Sequence, residues 1–121
     1  MRYVYIGLIV VFTAKTVERL LADGGSSAWV LDRNNARRCE YIVCTRNTHP
    51  NDWSEDIGSE PHGSAFLIAR VGDVVPAPEP GDDGRWLVTF SEYALLDKPD
   101  VWGGWRNPIR YTTLDELGIN L

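Results

Sequence analysis

The sequence predicts an α+β domain built on a curved mixed β-sheet or small pseudobarrel, with two short helices. Three observations lead there. Runs of β-branched and aromatic residues dominate the chain, as in Tyr3–Phe12, Cys39–Arg46, Ser64–Val71 and Arg85–Tyr93. Only two segments carry helix caps. The spacing between strand-like runs leaves no room for repeated βαβ crossovers.

The first run, Tyr3–Phe12, is too short to span a bilayer, which takes about 20 apolar residues. It has a lone Arg2 and no small-residue cleavage pattern, so it reads as a buried first strand and not as a leader. Thr13 is placed to cap a helix over Ala14–Ala22, with Val17, Leu20 and Leu21 as its apolar stripe and Asp23-Gly24-Gly25 as its end. Ala28–Leu31 reads as a short strand, and Arg33–Arg38 as a turn or one helical turn. In Cys39–Arg46, strict alternation puts Cys39, Tyr41, Val43 and Thr45 on one face and Glu40, Ile42, Cys44 and Arg46 on the other. Residues 47–63 show almost no periodicity; a loop of that length in a small domain is often a lid or a binding loop.

Ser64–Val71, continuing into Val74-Val75, predicts the next strand. Pro76–Gly84 is rich in turn residues and leads into a partner strand, Arg85–Tyr93. Arg106–Thr112 is the last strand, with Pro108 at its entry. Thr113-Leu-Asp-Glu116 is a capping box that opens a final short helix, and Gly118 closes it.

One domain of 121 residues can bury a core without staples. The net charge of −5 excludes a protein that coats DNA indiscriminately. The charge is uneven: residues 1–47 carry seven Lys/Arg against four Asp/Glu, whereas residues 48–84 carry one against eight. Two cysteines in an unstapled domain fit a cytoplasmic protein. Alternation along the strand sends Cys39 and Cys44 to opposite faces. No metal site is predicted: His49 and His62 lack ligand spacing, and the cysteines do not form C-x-x-C. No glycine-rich phosphate loop precedes a helix, and no cofactor is implied.

The segment richest in chemistry is Trp102-Gly-Gly-Trp105-Arg106-Asn107-Pro108-Ile109-Arg110-Tyr111. Indoles can stack on a flat ring, while guanidiniums and amides can bond its edges. The dipeptide Arg106-Asn107 repeats Arg46-Asn47 at the end of an earlier strand. No catalytic signature accompanies them. His62, Ser64 and Glu92 could be imagined as a hydrolytic group, yet no nucleophile elbow is present.

This layout resembles the PUA-like superfamily, which includes the EVE, YTH and ASCH domains. The likeness rests on the apolar first strand, the early helix, the Trp29 strand, the strand ending in Arg46-Asn47, the FLIARV strand and the tryptophan-rich end. The resemblance implies a small pseudobarrel that holds a nucleobase, often a modified one, in an aromatic pocket. It implies DNA or RNA with a flipped or modified base as partner, and Trp29, Arg46, Asn47, Trp102 and Trp105 as pocket residues. Arg106 and Asn107 join them from the residue chemistry above. The ASCH branch includes amidohydrolases with a Lys-Thr motif near the first helix; Lys15-Thr16 is similar, but Glu18 and Arg19 depart from that pattern. The chain also resembles small bacterial proteins carrying the segments HGSAF (His62–Phe66), FSEYA (Phe90–Ala94) and GWRNPIRYTTL (Gly104–Leu114), a likeness that implies no activity. The expectation is therefore a binding module, with a small amidohydrolase-like enzyme or a protein-interaction module as alternatives.

Overall fold

The computed structural model describes residues 7–50 and 57–120. The elements run β1 (Gly7–Thr13), α1 (Val17–Asp23), β2 (Gly25–Trp29), α2 (Arg33–Arg37), β3 (Cys39–Arg46), β4 (Ala65–Pro76), β5 (Trp86–Lys98), β6 (Ile109–Thr112) and α3 (Leu114–Leu117). The six strands form one strongly curled mixed sheet in the order β2-β5-β4-β3-β1-β6. Strands β1 and β3 are parallel; the other described pairs are antiparallel. The fold is thus α+β with a half-barrel sheet. It carries three short helices where two were expected, because Asp32 caps RNNAR by accepting from the amides of Asn34 and Asn35. Among the described residues no helix is long and apolar enough to cross a membrane.

Strand β1 (GLIVVFT) sits between β3 and β6 and is apolar in both directions, so both faces of the sheet must be covered. One face gathers Ile9, Val11, Ile42, Cys44, Leu67, Val88 and Ile109 under Leu20 of α1 and Ala36 of α2. The other gathers Leu8, Val10, Val43 and Ile68 under Val101, Trp102, Leu117 and Ile119. The sheet is therefore a wall between two cores.

Three sequence expectations shift. Helix α1 is capped by Thr16, whose hydroxyl accepts from Arg19 N at 3.1 Å, and not by Thr13. Thr13 is unavailable because β1 runs through it, pairing it with Arg46. Cys39 and Cys44 share one core instead of opposing faces. A register shift between Gly7 and Leu8 places Cys39 and Tyr41 opposite consecutive residues of β1, so a bulge at Glu40 turns Cys39 over. Strand β5 runs on to Lys98, paired with β4 as far as Ala65. Beyond Phe90 no strand among the described residues pairs with its outer edge, and Tyr93 and Leu95 are exposed there. Register shifts at both ends of that stretch bend the edge, which blunts it against pairing with other chains.

Candidate functional site

The tryptophan-rich segment is brought into one continuous series of ring contacts. Phe12, next to last on β1, stacks on Trp102 with centroids 4.8 Å apart and planes 2° from parallel. Trp105 meets Trp102 edge to face at 4.9 Å and 83°. Arg110 of β6 lays its guanidinium 3.7 Å from the centre of the Trp105 ring. On the other side of Phe12, His62 packs edge-on at 5.2 Å, and His49 follows at 5.1 Å. The series runs His49, His62, Phe12, Trp102, Trp105, Arg110. Each aromatic pair contributes about 0.5–1.5 kcal/mol beyond the area it buries.

Local backbone geometry explains why these rings meet. The amides of Val101 and Trp102 both donate to Gly63 O, at 3.0 and 2.9 Å. Gly63 itself donates to Arg46 O at 2.8 Å, so the end of β3 fixes the tryptophan loop through one residue. Gly63 has φ +81°, which a side chain would strain. Gly104, at φ +78°, then turns the chain so that Trp105 folds back over Gly103. The Thr48 amide donates to His62 Nδ1 at 3.1 Å. An amide can only donate, so Nδ1 accepts, and a neutral His62 carries its proton on Nε2.

Arg46 does not join this surface. Its side chain is 0% exposed. Nη1 donates to Thr13 O and Lys15 O at 3.0 and 2.7 Å. Nε donates to Glu60 Oε1 at 3.1 Å, and the guanidinium lies 3.9 Å from the centre of the Phe66 ring. Nη2 is 2.9 Å from the same Glu60 oxygen, yet it makes no hydrogen bond in line. Gly58 closes the box: a Cβ there would lie 2.3 Å from Nη2. Burial lowers the pKa of Arg46 and Glu60 opposes that shift. This arginine ties residues 57–60 to the ends of β1 and β3.

The remaining candidates divide. Trp29 lies on β2, at the sheet edge opposite β6, packed against the first core with Nε1 donating to Ser26 Oγ at 2.9 Å. It is therefore separated from Trp102, which belongs to the second core. Asn47 and Asn107 each use Oδ1 to accept the amide two residues on, from His49 at 2.9 Å and from Ile109 at 3.1 Å. Arg106 is exposed and has no ion pair or hydrogen bond among the described residues. Trp102, Trp105, Arg106 and Asn107 stay together, with Trp102 buried at 8% exposure; Trp29 and Arg46 are held elsewhere, and Asn47 shapes the turn that carries His49.

The hydrolytic groupings do not assemble. Ser64 Oγ donates to Pro61 O at 2.6 Å, His62 bonds Thr48, and Glu92 pairs with Arg70 at 2.6 Å. Lys15 Nζ donates to Ser27 O at 2.9 Å and stands 3.9 Å from Asp23. Among the described residues no three His, Cys, Asp or Glu side chains gather around a possible cation position. Trp53, Asp52, Glu55 and Asp56 lie outside the described residues.

Sequence reasoning passed over Phe12, which looks like any core residue of a first strand, and over Gly58, Glu60 and Gly63. Their only local signal is two glycines in a segment without periodicity. No family model, curated protein or solved structure matches the chain.

Proposed function

We propose that this protein is a non-enzymatic module that binds single-stranded or locally unpaired nucleic acid by stacking bases on the accessible members of its ring series, His49, His62 and Trp105, which buried Trp102 and half-buried Phe12 hold in line. The observation that carries this reading is the unbroken line from His49 to Arg110, with exposed histidines at one end and exposed Arg106 beside the other. The rings are already held by one another, so binding orders few side chains anew. A base stacked on such a platform contributes about 1–3 kcal/mol. Arg106 supplies a phosphate contact, whereas Arg110 is held over Trp105 and 3.6 Å from Glu116.

Stacking along a surface fits the arrangement better than enclosure of a flipped base. Enclosure calls for Trp29 and Arg46 to reach the same cavity as Trp102, and they are committed to other contacts. The net charge of −5 sets an expectation of modest affinity that falls steeply with salt.

Fluorescence titration with oligo(dT) and oligo(U) at low and at physiological salt tests the reading. Quenching of the tryptophans at low salt, reduced in Arg106→Ala, is the expected result. A folded protein that binds neither oligonucleotide at low salt removes the proposal.

A further inference from the structure

A cavity at the opposite end of β1 is independent of the ring series. It has a volume of about 290 Å³ and is lined by Leu8, Asn35, Arg38, Cys39, Tyr111 and Thr112, with Gly7 at its edge. Its origin is the bulge described above. The extra residue in β3 turns Cys39 over, Gly7 contributes no side chain, and the pairing of β6 with β1 ends at Thr112 and Leu8. Space is left between the end of α2 and the last residues of β6. Ligand pockets run from roughly 300 to 1,000 Å³, and at about 290 Å³ this one lies just under that range, which limits it to a small molecule.

The lining has one apolar and one cationic side. Cys39 is a buried member of the first core, its thiol turned to Asn35 O at 3.5 Å. Tyr111 is 40% exposed and supplies an aromatic wall. Burial, with help from Cys39 and Asp32, pushes the Tyr111 phenol up to about 12, so at neutral pH it is an O–H donor. Arg38 is exposed at the rim, and its side chain has no carboxylate or hydrogen-bond partner among the described residues. The arginines around it differ: Arg37 faces Asp73, and Arg70 faces Glu40 and Glu92. Asp32, the nearby carboxylate, already has Oδ1 bound by the amides of Asn34 and Asn35.

We propose that this cavity binds a small monocarboxylic acid with an aromatic or short aliphatic body. The carboxylate pairs with Arg38 and accepts from the Tyr111 hydroxyl, while the body rests between Tyr111 and Cys39. A guanidinium fork and a phenol O–H on the lining of one cavity match the two oxygens of a carboxylate, and the apolar lining favours a ligand with little other polarity. The site needs no residue of the ring series.

Amide chemical shifts followed by NMR test this with phenylacetate and octanoate as probes and 2-phenylethanol as the uncharged counterpart. Saturable shifts at Asn35, Cys39 and Thr112 in the millimolar range or below are expected with an acid, and at least tenfold weaker binding with the alcohol. Arg38→Ala, which removes an exposed and unpartnered side chain, should keep the native spectrum and weaken acid binding about tenfold. Tyr111→Phe should keep the wall and lose the donor, giving a smaller drop. Absence of shifts at these residues with both acids, equal binding of acid and alcohol, or unchanged affinity in Arg38→Ala each overturns the proposal.

Discussion

The dipeptide Arg-Asn occurs three times, and the copy that ends β3 and the copy just before β6 have opposite fates. The asparagines behave alike, each accepting the amide two residues ahead and shaping a turn. The arginines share nothing. Arg46 is sealed between Phe66, Gly58 and Glu60, whereas Arg106 is exposed and unpaired among the described residues. At these two turns the short polar side chain bonds its own backbone, so its role is set by nearby residues. A long cation takes its role from what the fold delivers to it. For Arg46 that is a carboxylate 14 residues away and the carbonyls of Thr13 and Lys15 more than 30 residues earlier.

The largest expected effect lies on the buried copy. Arg46→Ala leaves Glu60 and two carbonyls without their donor and should lower unfolding stability by about 3–5 kcal/mol in urea denaturation. A loss below about 1 kcal/mol would erase the contrast between the two arginines. The double variant Arg46→Met/Glu60→Gln sharpens it: removing both charges should recover a good part of that loss. Gly58→Ala comes next, because the new Cβ overlaps the guanidinium that Arg46 cannot move. A loss of about 1–3 kcal/mol is expected from thermal and urea melts.

The cysteine beside Arg46 adds a pH test. Burial raises Cys39 from 9.0 to about 11 and Cys44 to about 12, with the Arg46 charge pulling Cys44 back down. Between the unfolded and folded values the folded state holds protons that the unfolded chain has released. This contribution is whole below pH 9 and is lost as pH rises toward 11 and 12. Urea midpoints should therefore drop from pH 8 to pH 10, and Cys39→Ala/Cys44→Ala should flatten that drop. A slope identical in the double variant would rule the thiols out as its source.

The smallest effects separate the two dipeptides at their tips. Asn47→Ala and Asn107→Ala should each remove about 0.5–1.5 kcal/mol, by similar amounts, since each deletes one hydrogen bond. Arg106→Ala should stay within about 0.5 kcal/mol of the parent in stability while weakening oligonucleotide binding. A marked loss of stability from Arg106→Ala would make the two arginines alike after all.

What the sequence disclosed follows the same division. Strand β3 was legible because its alternation is strong, and α3 because Thr113 and Gly118 cap it through bonds only a few residues long. The sequence signal for β5 ends at Tyr93, since Ala94-Leu-Leu-Asp-Lys98 has no strand preference of its own. Pairing with β4 extends it. The bulge at Glu40 follows from the register between β1 and β3, so no local pattern could place Cys39. The tryptophan cluster was legible as a cluster, being contiguous in the chain. Its coupling to Phe12 and His62 was not, for those residues come from distant segments. Trp29 and Arg46 join it only through the resemblance in layout, and a likeness of layout says nothing about which side of a curved sheet a ring will occupy.

Among the described residues strand β1 acquires its outer neighbour from β6, where Leu8 meets Thr112 and Val11 meets Ile109. Until the last strand arrives, a nascent chain would hold Leu8–Val11 with one row of peptide groups bare and strongly apolar side chains beside them. Such an edge invites pairing between neighbouring polypeptides. The four residues of β6 thus act as a late-arriving seal, and a truncation just ahead of Ile109 should turn a well-behaved domain into one that aggregates as it leaves the ribosome.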